Sequence, residues 1–448
     1  MEALTNGKVR TQSKIQKQLY CRLWRWHFYA GVFAIPFVLL LSVTGALYLF
    51  KPQLDAIHDA PYRNLIITGD LATPEQQVAA ALAAVPNAQF SAYELARETT
   101  DAASILLHQA GEKIRVYIHP QTLNVLTIEN ESSRFLHIVH DLHGELLLGD
   151  VGSVVVELAA CWAIVLVLTG VYLWWPRNAQ GVAGILYPRF RLTGRLFWRD
   201  LHSVIGIWVS LLVLFLLLSG LPWTFVWGNA FKEFRQLTGT TAAQDWVIAG
   251  QKKSTEVSGE HAEHQQHNSG SATAELNSIV TKAQELHFYH PVLITPPPPG
   301  ATDWAVKSTT QNRPLRAEAT FNSQTGELHS LTTFAQRHVI DRVVGIGVAA
   351  HEGQLFGWLN QLLGLLVALS LITMSISGFI MWRKRAPAGV LGAPPPMPEA
   401  KIGTGFVAII FVAAIFLPVL GASLITLLLI ELLLLQRLAS TKKWLGLA

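Results

Sequence analysis

The sequence predicts a multi-pass α-helical membrane protein. It would be a bundle of four core spans in two pseudo-repeats, with a C-terminal apolar hairpin and two small α+β domains outside the membrane. Hydrophobic residues make up 51% of the 448 residues and charged residues 14%, whereas soluble domains are roughly 25% charged. Long uncharged segments alternate with two long polar ones, and the motifs of the first half recur in the second half.

The core spans are predicted from length and composition, because about 20 apolar residues at 1.5 Å rise cross the hydrocarbon core. With their lead-in residues, the four spans are 27–50, 139–175, 201–227 and 346–382. A further apolar run, 402–436, is too long for one untilted helix, and Pro418 and Gly421 interrupt it. We therefore expect two short helices joined by a tight turn, which brings the total to six spans.

The orientation follows from the distribution of Lys and Arg, which accumulate in cytoplasmic loops. Six spans place four segments on one side, and these hold more than half of the 34 Lys and Arg: 1–26, 176–200, 383–401 and 437–448. This side is predicted to be cytoplasmic and includes the N-terminus. The first span is too long for the apolar region of a signal peptide, so we expect an uncleaved anchor.

The first repeated element places a histidine before a span. "WRWHFYAG" at 24–31 resembles "WRDLHSVIG" at 198–206. His27 is followed by glycines 4 and 18 residues later, at Gly31 and Gly45, and His202 is followed by glycines at the same offsets. These offsets are close to whole helical turns. Each histidine is therefore predicted to share a helix face with two glycines, which would leave room beside it for a flat group.

The second repeated element places a histidine at the opposite end of the bundle. "HGELLLG" at 143–149 resembles "HEGQLFG" at 351–357. Gly170 follows His143 by 27 residues, and Gly378 follows His351 by the same distance. Coincident offsets without gaps indicate two copies of a span, an outer domain and a second span.

The repeat thus places two histidines from different helices near each membrane face, His27 with His202 and His143 with His351. Histidine is the usual axial ligand of haem iron, and ionisable residues in membrane spans are functional by default. We therefore predict two haem b groups, each with two axial histidines. Boundary histidines can instead be solvated anchors, and spaced glycines can serve close helix packing. His140 competes with His143 for the outer position.

The cysteines and the missing motifs limit the redox chemistry. Cys21 and Cys161 form no CxxCH, so the haem would be held non-covalently. The chain has no dinucleotide-binding glycine motif in a strand–helix context, no iron–sulfur cysteine cluster and no Walker motif. Electrons would have to come from a membrane quinol or from a separate reductase. The partners that the sequence indicates are therefore membrane lipid and this electron donor, and nothing in it indicates nucleic acid.

The two long segments, 51–138 and 228–345, are each predicted to form a small α+β domain on the outer side of the membrane. In the first, Thr73 caps a helix over 73–85, and strands and a Gln-Thr turn follow. The second repeats the order of helix, strand, strand, Gln-Thr turn and strand. Residues 250–272 are predicted to be a disordered linker. Alternatively, the three histidines of this linker could bind a metal. They are His261, His264 and His267.

These motifs together resemble those of the PepSY-associated transmembrane family, the so-called iron-regulated inner-membrane proteins. The likeness extends from about residue 20 to 385 and rests on "LWRWHFYAGVFAIPFVLLLSVTGALYLF", "LHGELLLGDVG", "LHSVIGIWVSLLVLFLLLSG", "AHEGQLFG" and "SGFIMWRKR". The two Gln-Thr turns resemble those of PepSY domains, although "PQTLNVL" departs from the usual pattern at Leu123 and Asn124.

The resemblance implies a Gram-negative inner-membrane protein similar to haem-containing ferric-siderophore reductases. Such an oxidoreductase releases iron in the periplasm by reducing Fe(III), which siderophores hold tightly, to Fe(II), which they hold weakly. His140 stands where some members of the family have a histidine. The four span histidines match the family's histidines: His27, His143, His202 and His351. No catalytic side chain beyond these ligands is predicted.

Two rival functions differ from this expectation. A non-enzymatic regulator would use the outer domains to bind a periplasmic partner and would contain no chromophore. A metal permease would place polar residues near the bilayer midplane. The four main spans have almost no charge at their centres, and their histidines stand at the ends, so the permease is disfavoured.

Overall fold

The computed structural model describes residues 2–177, 181–240, 275–298, 301–394, 404–433 and 435–446. The chain divides into two compact units. The helical unit comprises Met1–Leu47, Asp141–Thr238 and Leu362–Ala448, and the sheet unit comprises Tyr48–His140 and Gly239–Gln361. The predicted linker 250–272, with His261, His264 and His267, lies outside the described residues.

The regular elements of the described residues are as follows. The helices are α1 (Glu2–Leu49), α2 (Lys51–His58), α3 (Pro74–Ala84), α4 (Phe135–Glu145), α5 (Gly149–Trp174), α6 (Gly194–Gly220), α7 (Phe225–Leu237), α8 (Leu276–Glu285), α9 (Val339–His351), α10 (Trp358–Arg385), α11 (Thr404–Phe416), α12 (Pro418–Leu433) and α13 (Ala439–Leu445). The strands are β1 (Gln89–Glu94), β2 (Ala103–Gln109), β3 (Glu112–Ile118), β4 (Val125–Asn130), β5 (Val292–Thr295), β6 (Asp303–Ser308), β7 (Ala317–Asn322) and β8 (Leu328–Thr333).

Four helices are long and apolar enough to cross a membrane, which confirms the four predicted core spans. They are Gln16–Leu49, Gly149–Trp174, Gly194–Trp223 and Trp358–Arg385. The third begins several residues before the predicted span, and its α-helical part ends at Gly220. Pro222 lies in the short 3-10 turn that follows, since proline has no N–H to continue an α-helix.

The helical unit has the surface of a protein that is solvated by lipid. On α6, Trp208 is 66% exposed and Leu211 76% exposed. Meanwhile Glu157 on α5 is completely buried and Thr169 is 7% exposed. Large apolar side chains outside and polar ones inside are expected where hydrocarbon replaces water. These residues therefore support the membrane-spanning interpretation independently of helix length.

The C-terminal apolar run breaks where the sequence predicts. Helix α11 ends at Phe416 and α12 begins at Pro418. A Cβ atom on Gly421 would lie 2.9 Å from the carbonyl oxygen of Ala414, so a side chain at this position would obstruct the packing of the two helices. Each helix is shorter than the roughly 20 residues that a single crossing requires. The break is confirmed, while the fifth and sixth spans stay a prediction.

The sheet unit differs from the prediction of two separate α+β domains. Its strands form one antiparallel sheet in the order β4-β3-β2-β1-β5-β6-β7-β8. The two halves join where β1 pairs with β5, with Tyr93 opposite Ile294 and Glu94 opposite Leu293. Both joining strands precede the strands recognised in the sequence. Each half keeps the predicted order of helix, strands and Gln-Thr turn, but the edge pairing makes one continuous sheet.

A single core supports this sheet. Helices α3 and α8 pack on one face, over buried residues from both halves such as Ile105, Val116 and Trp304. Helix α3 begins as predicted, because Thr73 accepts from Gln76 N–H and the Gln76 side chain accepts from Thr73 N–H. This capping box satisfies N–H groups that lack an intrahelical partner.

The two Gln-Thr turns share one backbone geometry. Gly326 has φ of 64° and donates its N–H to the Asn322 carbonyl at 2.8 Å, and Leu123 has φ of 60° and donates to the His119 carbonyl at 3.1 Å. The sequence departure at Leu123 therefore does not change the turn. It places a leucine in a left-handed conformation, which favours glycine.

Candidate functional site

The structure brings His27 on α1 and His202 on α6 together within the helical unit. Their ring centroids are 6.3 Å apart and the ring planes are nearly perpendicular, at 88°. The two residues are far apart in sequence and come from matching positions of the repeat. The pair is therefore created by helix packing and not by local sequence.

A hydroxyl group on α5 determines the tautomer of His27. Nδ1 of His27 lies 2.9 Å from Oγ1 of Thr169. Thr169 donates its only hydroxyl proton to the Val165 carbonyl at 2.7 Å, so its oxygen accepts from the ring. The proton of the neutral imidazole is therefore on Nδ1, and the lone pair is on Nε2. Metal-binding histidines are commonly held in this way by a hydrogen bond at the other ring nitrogen.

His202 is held in the same tautomer by α10. Its Nδ1 lies 3.0 Å from the Met374 carbonyl oxygen and 3.1 Å from Oγ of Ser377. A carbonyl oxygen only accepts, so Nδ1 must carry the proton. Ser377 donates to the same carbonyl at 2.9 Å. The lone pair of this second ring is likewise on Nε2.

Glycines on the neighbouring helices make room for both rings. A Cβ atom on Gly170 would lie 3.2 Å from Cε1 of His27, and one on Gly378 would lie 3.6 Å from Cε1 of His202. Gly31, which was predicted to leave room beside His27 on the same helix, instead faces Leu166. The space around each histidine is thus provided by the partner helix.

The same arrangement occurs a third time, at His143. Its Nδ1 lies 2.9 Å from Oγ1 of Thr44, which donates to the Leu40 carbonyl at 2.8 Å. A Cβ atom on Gly45 would lie 3.2 Å from Cε1 of His143. We call each Thr-Gly or Ser-Gly dipeptide that holds a histidine a hydroxyl–glycine pair: Thr44-Gly45, Thr169-Gly170 and Ser377-Gly378.

These pairs were not predicted from the sequence, although the sequence contains a signal for them. The dipeptide Thr-Gly or Ser-Gly occurs near the end of each of the four core spans. In the third span it is Ser219-Gly220, at the end of α6. The glycines were recognised as part of the repeat, but the hydroxyl residue directly before each of them was not.

The predicted outer histidines have different surroundings. His143 belongs to the helical unit, whereas His140 and His351 belong to the sheet unit. The ring of His140 lies 5.7 Å from that of Tyr48 and 6.4 Å from that of His137. His351 is the last residue of α9. The hydroxyl–glycine pair at His143 favours it over His140, and the pairing of His143 with His351 stays a prediction.

The separation of the two histidine rings would suit two imidazoles bound to one iron. An iron atom bonded to two imidazole nitrogens at about 2.0–2.1 Å, each nitrogen about 1.2 Å from its ring centre, separates the ring centroids by about 6.4 Å. The observed separation of 6.3 Å between His27 and His202 agrees with this value. Within the described residues no group of three or more His, Cys, Asp or Glu could hold a bare metal ion. Two histidines suffice when a porphyrin supplies the remaining ligands.

A fully buried acid on α5 was also missed. Glu157 on α5 accepts hydrogen bonds from the N–H groups of Val226 at 2.9 Å and Trp227 at 3.2 Å. These N–H groups belong to the first turn of α7, where a helix has unsatisfied donors and positive potential. Glu157 is therefore explained by its structural role as a cap of α7.

The fold and the site together define a class: a multi-pass helical membrane protein with a partly buried histidine pair and a β-sheet unit. The family model described as the PepSY-associated TM region matches residues 24–385. The chain therefore belongs to the PepSY-associated transmembrane family, as its motifs indicate. No curated protein matches the sequence closely.

Proposed function

We propose that this protein is an inner-membrane electron-transfer protein that holds haem b between His27 and His202. A second haem b would be held by His143 and His351. The observation that carries the proposal is the perpendicular histidine pair, with both Nδ1 atoms committed to protein acceptors. This arrangement directs the lone pair of each ring to Nε2, the atom that an iron would use.

Haem bound at these positions would supply a one-electron Fe(III)/Fe(II) couple. The protein's part is to hold the imidazole rings and to exclude water. Thr169 and Ser377 fix the orientation of His27 and His202 through Nδ1. The glycines Gly170 and Gly378 let the neighbouring helices approach the rings closely. A low-dielectric environment and fixed hydrogen bonds are the means by which a protein sets a haem potential.

The direction of electron flow is inferred from the distribution of charge. The basic segments favour a cytoplasmic location for the end that bears His27 and His202. Electrons would then move from this side toward the periplasm. No motif for a flavin or a nicotinamide cofactor is present in the sequence, so we infer that the donor is a membrane quinol or a separate reductase.

The substrate is inferred from the family resemblance. We propose a ferric siderophore in the periplasm, which would accept one electron at Fe(III) and release Fe(II). The chelate holds Fe(II) far more weakly than Fe(III), so the electron transfer itself would free the iron. The sheet unit would face this compartment and would bind or position the chelate.

An absorption spectrum of the full-length protein, purified from haem-replete cells, tests the proposal directly. We expect a b-type spectrum that sharpens on reduction with dithionite. His27→Ala and His202→Ala should each remove about half of the haem. His108→Ala is a matched control, because this exposed histidine lies on β2 of the sheet unit. A colourless preparation would refute the haem proposal and would favour a non-enzymatic binding protein.

Reduction assays test the substrate separately. Fe(II) released from Fe(III) siderophores can be followed with a coloured Fe(II) chelator, using protein that was first reduced. We expect release from the wild type and a much slower rate from His27→Ala. Reduced haem that transfers no electrons to any Fe(III) chelate would contradict the substrate class while leaving the haem assignment intact.

A further inference from the structure

Arg385, the last residue of α10, is partly buried and has two buried donor atoms that are unsatisfied within the described residues. Its guanidinium carbon lies 5.3 Å from the centroid of the Trp24 ring and 4.6 Å from that of Phe28. Within the described residues, its Nε and Nη2 atoms are buried and have no hydrogen-bond partner. Buried charged groups are normally paired and hydrogen-bonded, because desolvation without compensation is costly.

The charges around Arg385 do not compensate for this burial. Arg195 acts on it with the same sign of charge. The buried acid Asp200 is already used elsewhere, since it accepts from Arg189 at 2.6 Å and from Arg199 at 3.0 Å. Aromatic faces attract a guanidinium, but they do not accept its in-plane N–H groups. An anion is therefore the group that this position lacks.

The position of Arg385 relates it to the histidine pair. Gly378, which lies against His202, precedes Arg385 by seven residues, or about two helical turns on the same face of α10. Arg385 is thus about 10 Å further along the helix axis than the glycine. On α1, Trp24 and Phe28 are one turn apart and flank His27 in sequence. Both helices therefore place the guanidinium on the side of the bundle that contains the histidines.

We propose that Arg385 binds a carboxylate of the porphyrin held by His27 and His202, that is, a haem propionate. This inference rests on the proposed function. Nε and Nη2 form a planar fork of N–H groups that can donate to both oxygens of a carboxylate. Trp24 and Phe28 hold the plane of the guanidinium in place. A lipid phosphate offers similar anionic oxygens, and the experiment separates these two sources.

The test compares porphyrins with and without free carboxylates. Full-length protein carrying His143→Ala, produced under haem limitation in detergent, would be titrated with haemin and with haemin dimethyl ester, following the Soret band. We expect tighter binding of haemin by about tenfold, the contribution of one charge-assisted contact. Arg385→Gln should abolish this preference, and Arg385→Lys should reduce it, because lysine lacks the fork.

Arg383→Gln is the matched control, since Arg383 is an exposed arginine in the same helical turn, and it should keep the preference. Equal binding of both porphyrins, or an unchanged preference in Arg385→Gln, would overturn the inference while leaving the haem proposal intact. Binding of neither porphyrin would refute the proposed function, and this inference with it.

A lipid arm completes the test. The stabilisation of each variant by nanodiscs of phosphatidylglycerol would be compared with that by phosphatidylcholine. We expect the two lipids to affect wild type and Arg385→Gln alike. Loss of a phosphatidylglycerol-specific stabilisation in Arg385→Gln, with the haemin preference retained, would assign the site to a lipid phosphate and overturn the propionate assignment.

Discussion

Nδ1 of His27 lies 2.9 Å from Oγ1 of Thr169, and the residue after this threonine, Gly170, faces the same imidazole ring. One dipeptide on α5 thus performs two tasks for a histidine on α1. The hydroxyl orients the ring and assigns its proton, and the missing side chain of the glycine admits it.

Removing the hydroxyl should weaken haem binding without removing the ligand. Thr169→Val keeps the shape of the side chain but leaves the Nδ1–H of His27 without its acceptor. Loss of such an outer hydrogen bond typically costs 10–100-fold in metal affinity, so we expect a decrease of about tenfold in haemin affinity by titration. Thr169→Ser should restore most of the affinity.

Thr373→Val is the control for this change. Thr373 on α10 donates to the Leu369 carbonyl at 2.8 Å, which is the same local bond that Thr169 makes with Val165. It should leave haemin affinity unchanged. Equal effects of the two valine substitutions would show that the loss reflects helix distortion and not the histidine contact.

Filling the space next to the ring should displace His27. In Gly170→Ala the new Cβ would lie 3.2 Å from Cε1 of His27, which is closer than ordinary van der Waals contact, so the ring or α5 must shift. We expect loss of roughly half the haem and a lower unfolding temperature. Gly31→Ala is the control, because its Cβ would meet only Leu166 at 3.9 Å. A normal spectrum in Gly170→Ala would contradict the close-packing role.

The sheet unit should lose stability at acid pH through an ion-pair network. Arg115 is paired with Glu94 and Glu131. Burial alone would raise the pKa of the Glu131 carboxyl, but the charge and hydrogen bond of Arg115 hold this pKa below its ordinary value of 4.5. A carboxyl with a depressed pKa stabilises the fold above its unfolded pKa, and this contribution is lost as pH falls through the folded value.

Glu131→Gln should therefore destabilise the protein at pH 7 by about 1–3 kcal/mol, because it leaves Arg115 with one fewer charged partner. The difference in unfolding temperature between wild type and variant should shrink as the pH falls below about 4.5, and it should vanish only below the depressed pKa of the folded Glu131 carboxyl. A difference that is constant from pH 7 to pH 3 would show that the charge of Glu131 does not contribute.

The glycine of the second Gln-Thr turn should not tolerate a side chain. Gly326 has φ of 64°, so Gly326→Ala should destabilise the sheet unit by about 1 kcal/mol, because L-residues are strained in this conformation. Unfolding by urea would measure the change. Gly239→Ala is the control, because Gly239 also has a positive φ but lies outside the sheet, just after α7. No loss of stability in Gly326→Ala would indicate that the turn rearranges.

Composition alone determined the spans of this protein. Helix α5 and the other core spans are recognisable because a helix satisfies its own backbone hydrogen bonds, so a long apolar segment needs no partner to be stable in hydrocarbon. The matching positions of His27 and His202 could also be predicted, because a repeat preserves the spacing of residues along the chain. The order of elements in each half of the sheet unit followed from local capping and turn signals.

Tertiary packing decided which residues meet. Gly170 lies against His27 and Gly378 lies against His202, in both cases across a helix interface. Offsets along one helix had instead predicted Gly31 as the neighbour of His27. The pairing of β1 with β5 merges two repeats into one sheet, because exposed strand edges pair with whatever edge the fold brings near. Periodicity reports the face of an element on which a residue lies, but the partner on that face depends on the arrangement of distant segments.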